Sequence, residues 1–248
     1  MRPRYGNMHV LLRIREGNMT AFKGLPKDFF AFFRELAANN EKSWFEENKP
    51  RFRESVQLPL SSFMEAMAPR VGRISKHVVV DPRPNGGSMF RIHRDVRFSK
   101  DKSPYKTNAG VHFRHALGRD AHAPGFYMHF DPKEVFFGGG VWMAEPDGLH
   151  KIRQAIADDP KSWKKVLDDK AFSRVFPGVE GEALARPPRG FDPAHPFIND
   201  IKRKSFFAMK PSTPKVAQSP ALLDEVEEAL RAAKPLMKFL CEALDAPF

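Results

Sequence analysis

The apolar residues recur at helical spacing over the first part of the chain. Residues 26–39 place Phe29, Phe33 and Leu36 at positions i, i+4 and i+7, which predicts an amphipathic helix. A short helix over residues 41–48 is expected next. The third predicted helix begins near Pro50 and carries a stripe whose members lie three or four residues apart: Phe52, Val56, Leu60, Phe63, Met67 and Val71. Because the spacing is helical throughout, we expect these Phe and Met side chains to be core.

The period changes from helical to strand-like at His77. Five short alternating or apolar runs predict strands: 77–81, 89–98, 109–114, 125–131 and 135–143. No helical pattern separates them, so they predict an antiparallel meander rather than parallel βαβ units. Gly138–Gly140, inside the last run, indicates a bulge or a close approach of two backbones.

Helical spacing returns after the strands and is clearest at the C-terminus. The last predicted helix has Ser219 as N-cap and a stripe of Leu223, Val226, Leu230, Ala233, Met237, Leu240 and Leu244. Pro235 in this helix and Pro59 in the third helix each predict a kink or a break. Residues 177–200 are rich in Pro and Gly and predict a long ordered loop. The predicted class is α+β, an antiparallel sheet of about five strands flanked by N-terminal and C-terminal helices.

Length and cysteine content limit the organisation further. The chain of 248 residues is near the upper size of one domain, and we expect a single domain over residues 19–248. Residues 1–18 are expected to be a poorly ordered extension, with Met19 a candidate for the natural start. The single cysteine, Cys241, lies in a helical pattern and is expected to be a buried thiol in a cytoplasmic protein. No apolar run approaches the length of a membrane span, so no membrane partner is expected.

The net charge of the chain indicates which class of partner the protein could bind. The formal net charge of +11 favours anionic partners, either an anionic small molecule or nucleic acid. The position of the charge is more informative than its sum. Residues 90–106 (FRIHRDVRFSKDKSPYK), called the basic segment below, contain six Lys and Arg against two Asp.

Alternation sorts the first half of the basic segment into two faces. If residues 90–98 form a strand, Phe90, Ile92, Val96 and Phe98 share one face, and Arg91, His93, Asp95 and Arg97 share the other. Arg94 then falls on the apolar face. Since an unpaired guanidinium is costly to bury, Arg94 either reaches the edge of the sheet or pairs with a carboxylate.

Grouped arginines, lysines and a tyrosine suit a phosphate or carboxylate ligand, because a guanidinium can pair with two oxygens at once. The predicted ligand-binding residues are Arg91, Arg94, Arg97, Lys102, Tyr105 and Lys106. The protein could also be an enzyme acting on such a ligand, with Asp95, Asp101 and Tyr105 as the candidate catalytic residues. The sequence leaves open whether it is an enzyme.

Three alternatives stand beside this hypothesis. The charges could only brace the fold, for example through an Arg94–Asp101 pair, or the basic surface could serve a nucleic-acid-binding accessory protein. His93, His112 and His129 could face each other across the sheet as metal ligands, but their spacing matches no established metal motif, and no metal is predicted. No cofactor is predicted either, because no Rossmann fingerprint or phosphate-binding loop is present.

The basic segment also resembles the hallmark of a bacterial family, DUF2461, a domain of unknown function. Further matching stretches are FFRELAANNEKSWFEENKPRF, GFYMHFDPKEVFFGGGVWMAEPDGLHKIRQAI and PRGFDPAHPFINDIKRKSFFAM, so the resemblance spans about residues 20–245. It implies a single cytosolic domain of mixed α and β structure with no assigned reaction or cofactor. The family motif positions carried onto this chain are Arg91, Arg94, Asp95, Arg97, Phe98, Asp101, Lys102, Pro104, Tyr105 and Lys106.

Overall fold

The computed structural model describes residues 22–118 and 123–248, so the expected extension over residues 1–18 lies outside the described residues. The helices are α1 (Lys27–Ala38), α2 (Lys42–Phe52), α3 (Leu58–Gly72), α4 (Pro146–Asp158), α5 (Pro160–Leu167), α6 (Lys170–Val175), α7 (Ile198–Ile201), α8 (Pro214–Ala217), α9 (Leu222–Ala232) and α10 (Lys234–Ala243). The strands are β1 (Val78–Val79), β2 (Ala109–His115), β3 (Gly125–Phe130), β4 (Val135–Val141) and β5 (Phe206–Ser212). Neighbouring strands pair antiparallel in the order β1-β2-β3-β4-β5, which confirms the predicted α+β class.

The predicted helical stripes are buried. Every member of the third stripe, from Phe52 to Val71, is buried.

The predicted disturbance at Pro59 takes the form of a π-helical segment, Arg53–Gln57, which joins α2 to α3. Proline has no N–H for the bond to the preceding turn, so the helix widens where that bond is missing. Pro235 has a similar effect, since α9 ends at Ala232 and α10 begins at Lys234.

One strand prediction was wrong, and one strand was not predicted. Residues 89–98 are not a strand: Met89 forms an isolated bridge with Val111, and the chain then leaves the sheet. The fifth strand is instead β5, which the sequence pattern did not predict. Pro211 lies inside β5, and a proline within a run argues against a strand unless the strand is at an edge of the sheet. β5 is such an edge strand, with β4 as its neighbour.

The inner face of the sheet carries the core. Its side chains form rows across the four longer strands: Phe113, Phe126, Gly139 and Ala208 in one row, and Val111, Met128, Phe137 and Lys210 in the next. A methyl group on Gly139 would lie 2.8 Å from a ring carbon of Phe126 and 3.1 Å from the sulfur of Met237 on α10. Helices α1, α3, α9 and α10 supply the apolar side chains that complete this core. Among the residues that the structure describes, no helix is both long and apolar enough to cross a membrane.

Candidate functional site

The outer face of the sheet is unusually poor in side chains. Its three rows, from β2 to β5, are Arg114, Gly125, Gly140 and Phe207; then His112, Tyr127, Gly138 and Met209; then Gly110, His129, Phe136 and Pro211. Each row therefore contains at least one glycine. Where glycines lie opposite each other, the outer face of the sheet consists of backbone atoms, and the larger side chains of the neighbouring strands project beyond it.

Gly125 and Gly140 pair directly across β3 and β4, and neither contributes a side chain to this surface. Gly140 has φ +152°, a conformation that favours glycine, and a methyl group there would lie 2.1 Å from the carbonyl oxygen of Phe206. At Gly125 a methyl group would lie 2.2 Å from Nε2 of His112, so the imidazole lies across this position. The close backbone approach predicted for residues 138–140 is confirmed.

The basic segment folds back on itself rather than continuing along the sheet. His93 forms a bridge with Tyr105, while the N–H of Arg94 donates to the carbonyl of Pro104 at 2.9 Å. The N–H of Lys106 donates to the carbonyl of Ile92 at 2.8 Å. The predicted alternation therefore fails beyond Ile92, which is buried, because the segment projects from the sheet. Phe98, expected on an apolar face, is 96% exposed.

Arg94 pairs with a carboxylate, one of the two outcomes expected for it. Its Nη1 lies 2.5 Å from Oδ2 of Asp101 and also donates to the carbonyl of Ser103 at 3.2 Å. Asp101 in turn accepts hydrogen bonds from the N–H and the hydroxyl of Ser103. These bonds and the Arg94 guanidinium hold the pKa of the Asp101 carboxyl well below its usual range. These contacts therefore stabilise the turn between Arg94 and Ser103.

Two adjoining cavities lie where the basic segment meets the outer face. The basic cavity, of about 430 Å³, is lined by Phe90, Arg94, Asp95, Lys106, Asn108, Gly110 and Tyr127. The aromatic cavity, of about 490 Å³, is lined by Phe90, His112, Gly125, Tyr127, Phe136, Gly140, Trp142, Phe207 and Met209. Phe90 and Tyr127 line both, so these two rings are a wall that the cavities share. Each volume lies within the range of small-molecule sites.

Lys106 is the cation of the basic cavity that has no carboxylate partner among the described residues. Its Nζ donates to the carbonyl of Arg91 at 3.0 Å and lies 5.3 Å from the centre of the Phe90 ring. Partial burial, with the nearby charge of Arg91, lowers the pKa of the Lys106 ammonium. Arg94 and Asp95 also line this cavity, but both are already paired, Arg94 with Asp101 and Asp95 with Arg97. Lys106 therefore supplies the unbalanced charge.

A hydrogen-bonded chain of polar side chains lies beside Lys106. The hydroxyl of Tyr127 donates to Nδ1 of His129 at 3.1 Å, and Nδ2 of Asn108 donates to the same nitrogen at 3.3 Å. The His129 ring stacks on Phe136 with 4.5 Å between ring centres and 4° between planes. Burial raises the pKa of the Tyr127 hydroxyl to about 12 and lowers the pKa of the His129 imidazole. Both groups are therefore neutral near pH 7, and Tyr127 keeps its proton at the junction of the cavities.

The other predicted site residues lie away from the basic cavity lining. Arg97 forms an exposed pair with Asp95, and the ammonium of Lys102 donates to the carbonyl of Val96. Tyr105 is only 3% exposed and stacks on Phe45 with 4.2 Å between ring centres. Of the six predicted ligand-binding residues, Arg94 and Lys106 line the cavity, and Arg91 is next to it through its carbonyl.

The three candidate metal ligands do not come together. His93 lies near Tyr105, His112 stacks on Phe90, and His129 bonds to Tyr127. Within residues 22–118 and 123–248, no group of three or more His, Cys, Asp or Glu side chains could hold a metal ion. Burial raises the pKa of the Cys241 thiol to about 12, as expected of a structural cysteine.

Several lining residues were not predicted as site residues. Asn108, Phe136, Trp142 and Phe207 line one cavity or the other, and the glycines form the floor. The glycine run in β4 was the one available signal, because three consecutive glycines in a strand indicate a surface without side chains. Trp142 and Phe207 are far apart in sequence, and only the pairing of β4 with β5 brings them within 5.5 Å of each other, measured between ring centres.

The fold is that of an α+β protein with two adjoining cavities between a sheet face and a folded basic segment. The chain belongs to the DUF2461 family of conserved hypothetical proteins, whose model matches residues 28–239. That range includes the whole sheet and the basic segment. No curated protein matches the chain.

Proposed function

We propose that the protein binds a small anionic ligand, a phosphate or a carboxylate, in the basic cavity. The observation that carries the proposal is the environment of Lys106. Its ammonium lines a cavity, is partly removed from water, and has no carboxylate partner among the described residues. A cation in this setting gains stability from an anion, because charge-assisted hydrogen bonds are stronger where water is partly excluded.

The neighbouring groups suit the same ligand. Arg94 lines the cavity in an orientation fixed by Asp101, so binding would cost little further side-chain ordering. The amide of Asn108 keeps a second N–H that can donate to an anion, whereas the single proton of the Tyr127 hydroxyl is donated to His129. Asp95 also lines the cavity, but its carboxylate is paired with Arg97, and this pair holds its pKa down to about 2. The fixed Asp95 charge favours a small anion near Lys106 over a long polyanion.

A titration of inorganic phosphate, followed by amide chemical shifts, tests the proposal. We expect shifts at Lys106, Asn108 and Gly110, and a loss of affinity of about tenfold or more in Lys106→Gln, because a charged hydrogen bond is lost. Lys100→Gln is the matched control: it removes the same charge from an exposed position in the same segment that lines neither cavity. Equal losses in both variants, or no shifts at these residues, would show that no anion site exists here.

Nucleic-acid binding is the second candidate function, and one observation favours it. The Phe98 ring is 96% exposed in the middle of the basic segment, with the Arg97 guanidinium 5.9 Å from the ring centre. An exposed ring beside cations can stack on an unpaired base. This function requires binding of a single-stranded oligonucleotide that weakens steeply with salt and depends on Phe98. Oligonucleotide affinity unchanged in Phe98→Ala would eliminate this candidate.

A further inference from the structure

The aromatic cavity runs along the outer face of β4 between two rings. Phe136 lies on this face, and Gly138 and Gly140 follow it at alternate positions without contributing a side chain. Trp142 comes directly after the strand, and both it and Phe136 line the cavity. Six residues of extended chain span roughly 20 Å, so the space between the two rings is long.

Side chains of the neighbouring strands form the long sides of this cavity. On one side lie Tyr127 and the His112 imidazole, which covers Gly125; on the other lie Met209 and Phe207 of β5. The backbones of β3 and β5 are two inter-strand spacings apart, roughly 10 Å, and the side chains narrow that gap. The cavity is therefore longer than it is wide, and a flat group fits it better than a bulky one.

The lining consists mostly of rings. Six of its nine described residues carry an aromatic side chain, and none of the nine is Lys, Arg, Asp or Glu. The hydroxyl proton of Tyr127 is already donated to His129. A charged group would lose its hydration in this cavity without gaining a partner of opposite charge. An aromatic ring, in contrast, gains stacked or edge-on contacts that a saturated group of the same size does not.

Most of this lining is recessed. Of the nine described lining residues, only Phe90 and Trp142 are exposed, at 36% and 59%, and the others are buried or half-buried. A stable protein partner covers on the order of 800 Å² of each surface, and here it would reach little more than these two rings. A small molecule can enter between them and contact the deeper positions, so the cavity suits a small molecule better than a protein.

We propose that the aromatic cavity is a second ligand site, which binds an uncharged molecule with a flat aromatic ring. The ring lies along β4 over Gly138 and Gly140, between Phe136 and Trp142. The affinity comes from burial of apolar surface and from ring contacts, and the ligand makes no ion pair with the protein.

This site is separate from the proposed anion site. Phe90 and Tyr127 form the wall that the two cavities share, and Lys106 lines only the basic cavity. The inference therefore goes beyond the proposed function and does not depend on it.

The test uses N-phenyl-1-naphthylamine, an uncharged probe whose fluorescence rises in apolar surroundings. We expect saturable binding, and we expect displacement of the probe by benzyl alcohol and by cyclohexylmethanol, two uncharged competitors that differ in the ring. Benzyl alcohol should displace half of the probe at a concentration about threefold or more lower, because only its ring is flat and aromatic.

Substitutions of Met209 locate the probe. Met209 is half-buried on the edge strand β5. Met209→Glu places a carboxylate in the cavity and should weaken probe binding about tenfold or more, because that charge would lose hydration. Met209→Leu is the matched control, since it keeps an apolar side chain of similar volume and should bind the probe within about twofold of the unmodified protein.

A second pair of variants removes a ring. Trp142→Ala deletes one end of the cavity and should weaken probe binding several-fold, whereas Phe98→Ala deletes an exposed ring that lines neither cavity and should have no effect. Urea unfolding of each variant shows whether it is folded.

The outcomes separate this inference from the proposed function. If folded Met209→Glu and Trp142→Ala bind the probe as tightly as Phe98→Ala does, the probe lies elsewhere and the inference is wrong. If cyclohexylmethanol competes as well as benzyl alcohol, the aromatic ligand class is wrong. Lys106→Gln and added inorganic phosphate should leave probe binding unchanged, and a loss with either would contradict the separation of the two sites. A failed phosphate titration would remove the anion site and leave this one intact.

Discussion

The side-chain amide of Asn40 is hydrogen-bonded to both backbone polar groups of Tyr105. Nδ2 donates to the Tyr105 carbonyl and Oδ1 accepts from the Tyr105 N–H, each at 3.0 Å. Asn40 lies between α1 and α2, 65 residues away in sequence, and the Tyr105 ring stacks on Phe45 of α2. The N-terminal helices thus hold the returning half of the basic segment in place, and with it the neighbouring Lys106.

Replacing Asn40 should therefore weaken the fold. Asn40→Ala leaves the N–H and carbonyl of Tyr105 without these partners, and we expect a loss of about 1–3 kcal/mol in the free energy of unfolding, measured with urea. Asn39→Ala is the matched control, because the Asn39 amide donates only one exposed bond, to the carbonyl of Glu35. Its effect should stay within about 0.5 kcal/mol. Similar losses in both variants would contradict the role given to Asn40.

Lys106 should lose its proton at a lower pH than an ordinary lysine. Burial and the charge of Arg91 both disfavour the ammonium, which lowers its pKa. The pH midpoint of amine acetylation at Lys106, followed by mass spectrometry, should thus lie below that of the exposed lysines. Arg91→Ala should raise this midpoint by removing the second cause, while Arg73→Ala, at the C-cap of α3, should leave it unchanged. A midpoint for Lys106 equal to that of the exposed lysines would contradict the described environment.

The His129 imidazole should make the protein less stable in mild acid. Burial lowers its pKa, with a smaller opposing effect of Asp131 and Glu134, so the folded protein binds its proton less readily than the unfolded chain does. Stability is then full above the unfolded pKa of about 6.5 and declines as the pH falls from there towards the folded pKa. Protonation also removes the acceptor that Tyr127 and Asn108 share.

Urea unfolding between about pH 7.5 and about pH 5 measures this effect. In His129→Phe the ring can still stack on Phe136, but nothing titrates at this position, so the decline over this range should be smaller. An unchanged slope in the variant would assign the pH dependence to another group.

Asp101 should control the shape of the basic segment rather than bind ligand. Asp101→Asn removes the charge that fixes the Arg94 guanidinium, so the bonds from the Arg94 and Lys106 amides to Pro104 and Ile92 should open more often. We expect faster hydrogen exchange at these two amides, with phosphate affinity reduced by less than in Lys106→Gln. Asp168→Asn is the control, since Asp168 pairs with Lys164 on the distant helix α5. Exchange rates unchanged by Asp101→Asn would show that the pair is dispensable.

Much of the fold follows from local pattern. Helical spacing placed α1 and α3 and buried the stripe from Phe52 to Val71, and alternation placed β2, β3 and β4. These features are readable because the periods of 3.6 and 2 residues are imposed by the backbone itself and depend little on what each element packs against. The carboxylate partner expected for Arg94 is present as Asp101, but the strand from which that partner was argued is not.

The tertiary structure decided what local pattern could not. Alternation assigned residues 89–98 to the sheet, yet after Met89 the chain folds back on itself, because Asn40 and the Arg94–Asp101 pair stabilise a turn that has no period. The tertiary structure also places the basic segment beside the glycines and aromatic rings of the outer sheet face. The residues that line the two cavities come from β2, β3, β4, β5 and the basic segment. They come together only through the register of the paired strands, which depends on contacts between residues distant in sequence.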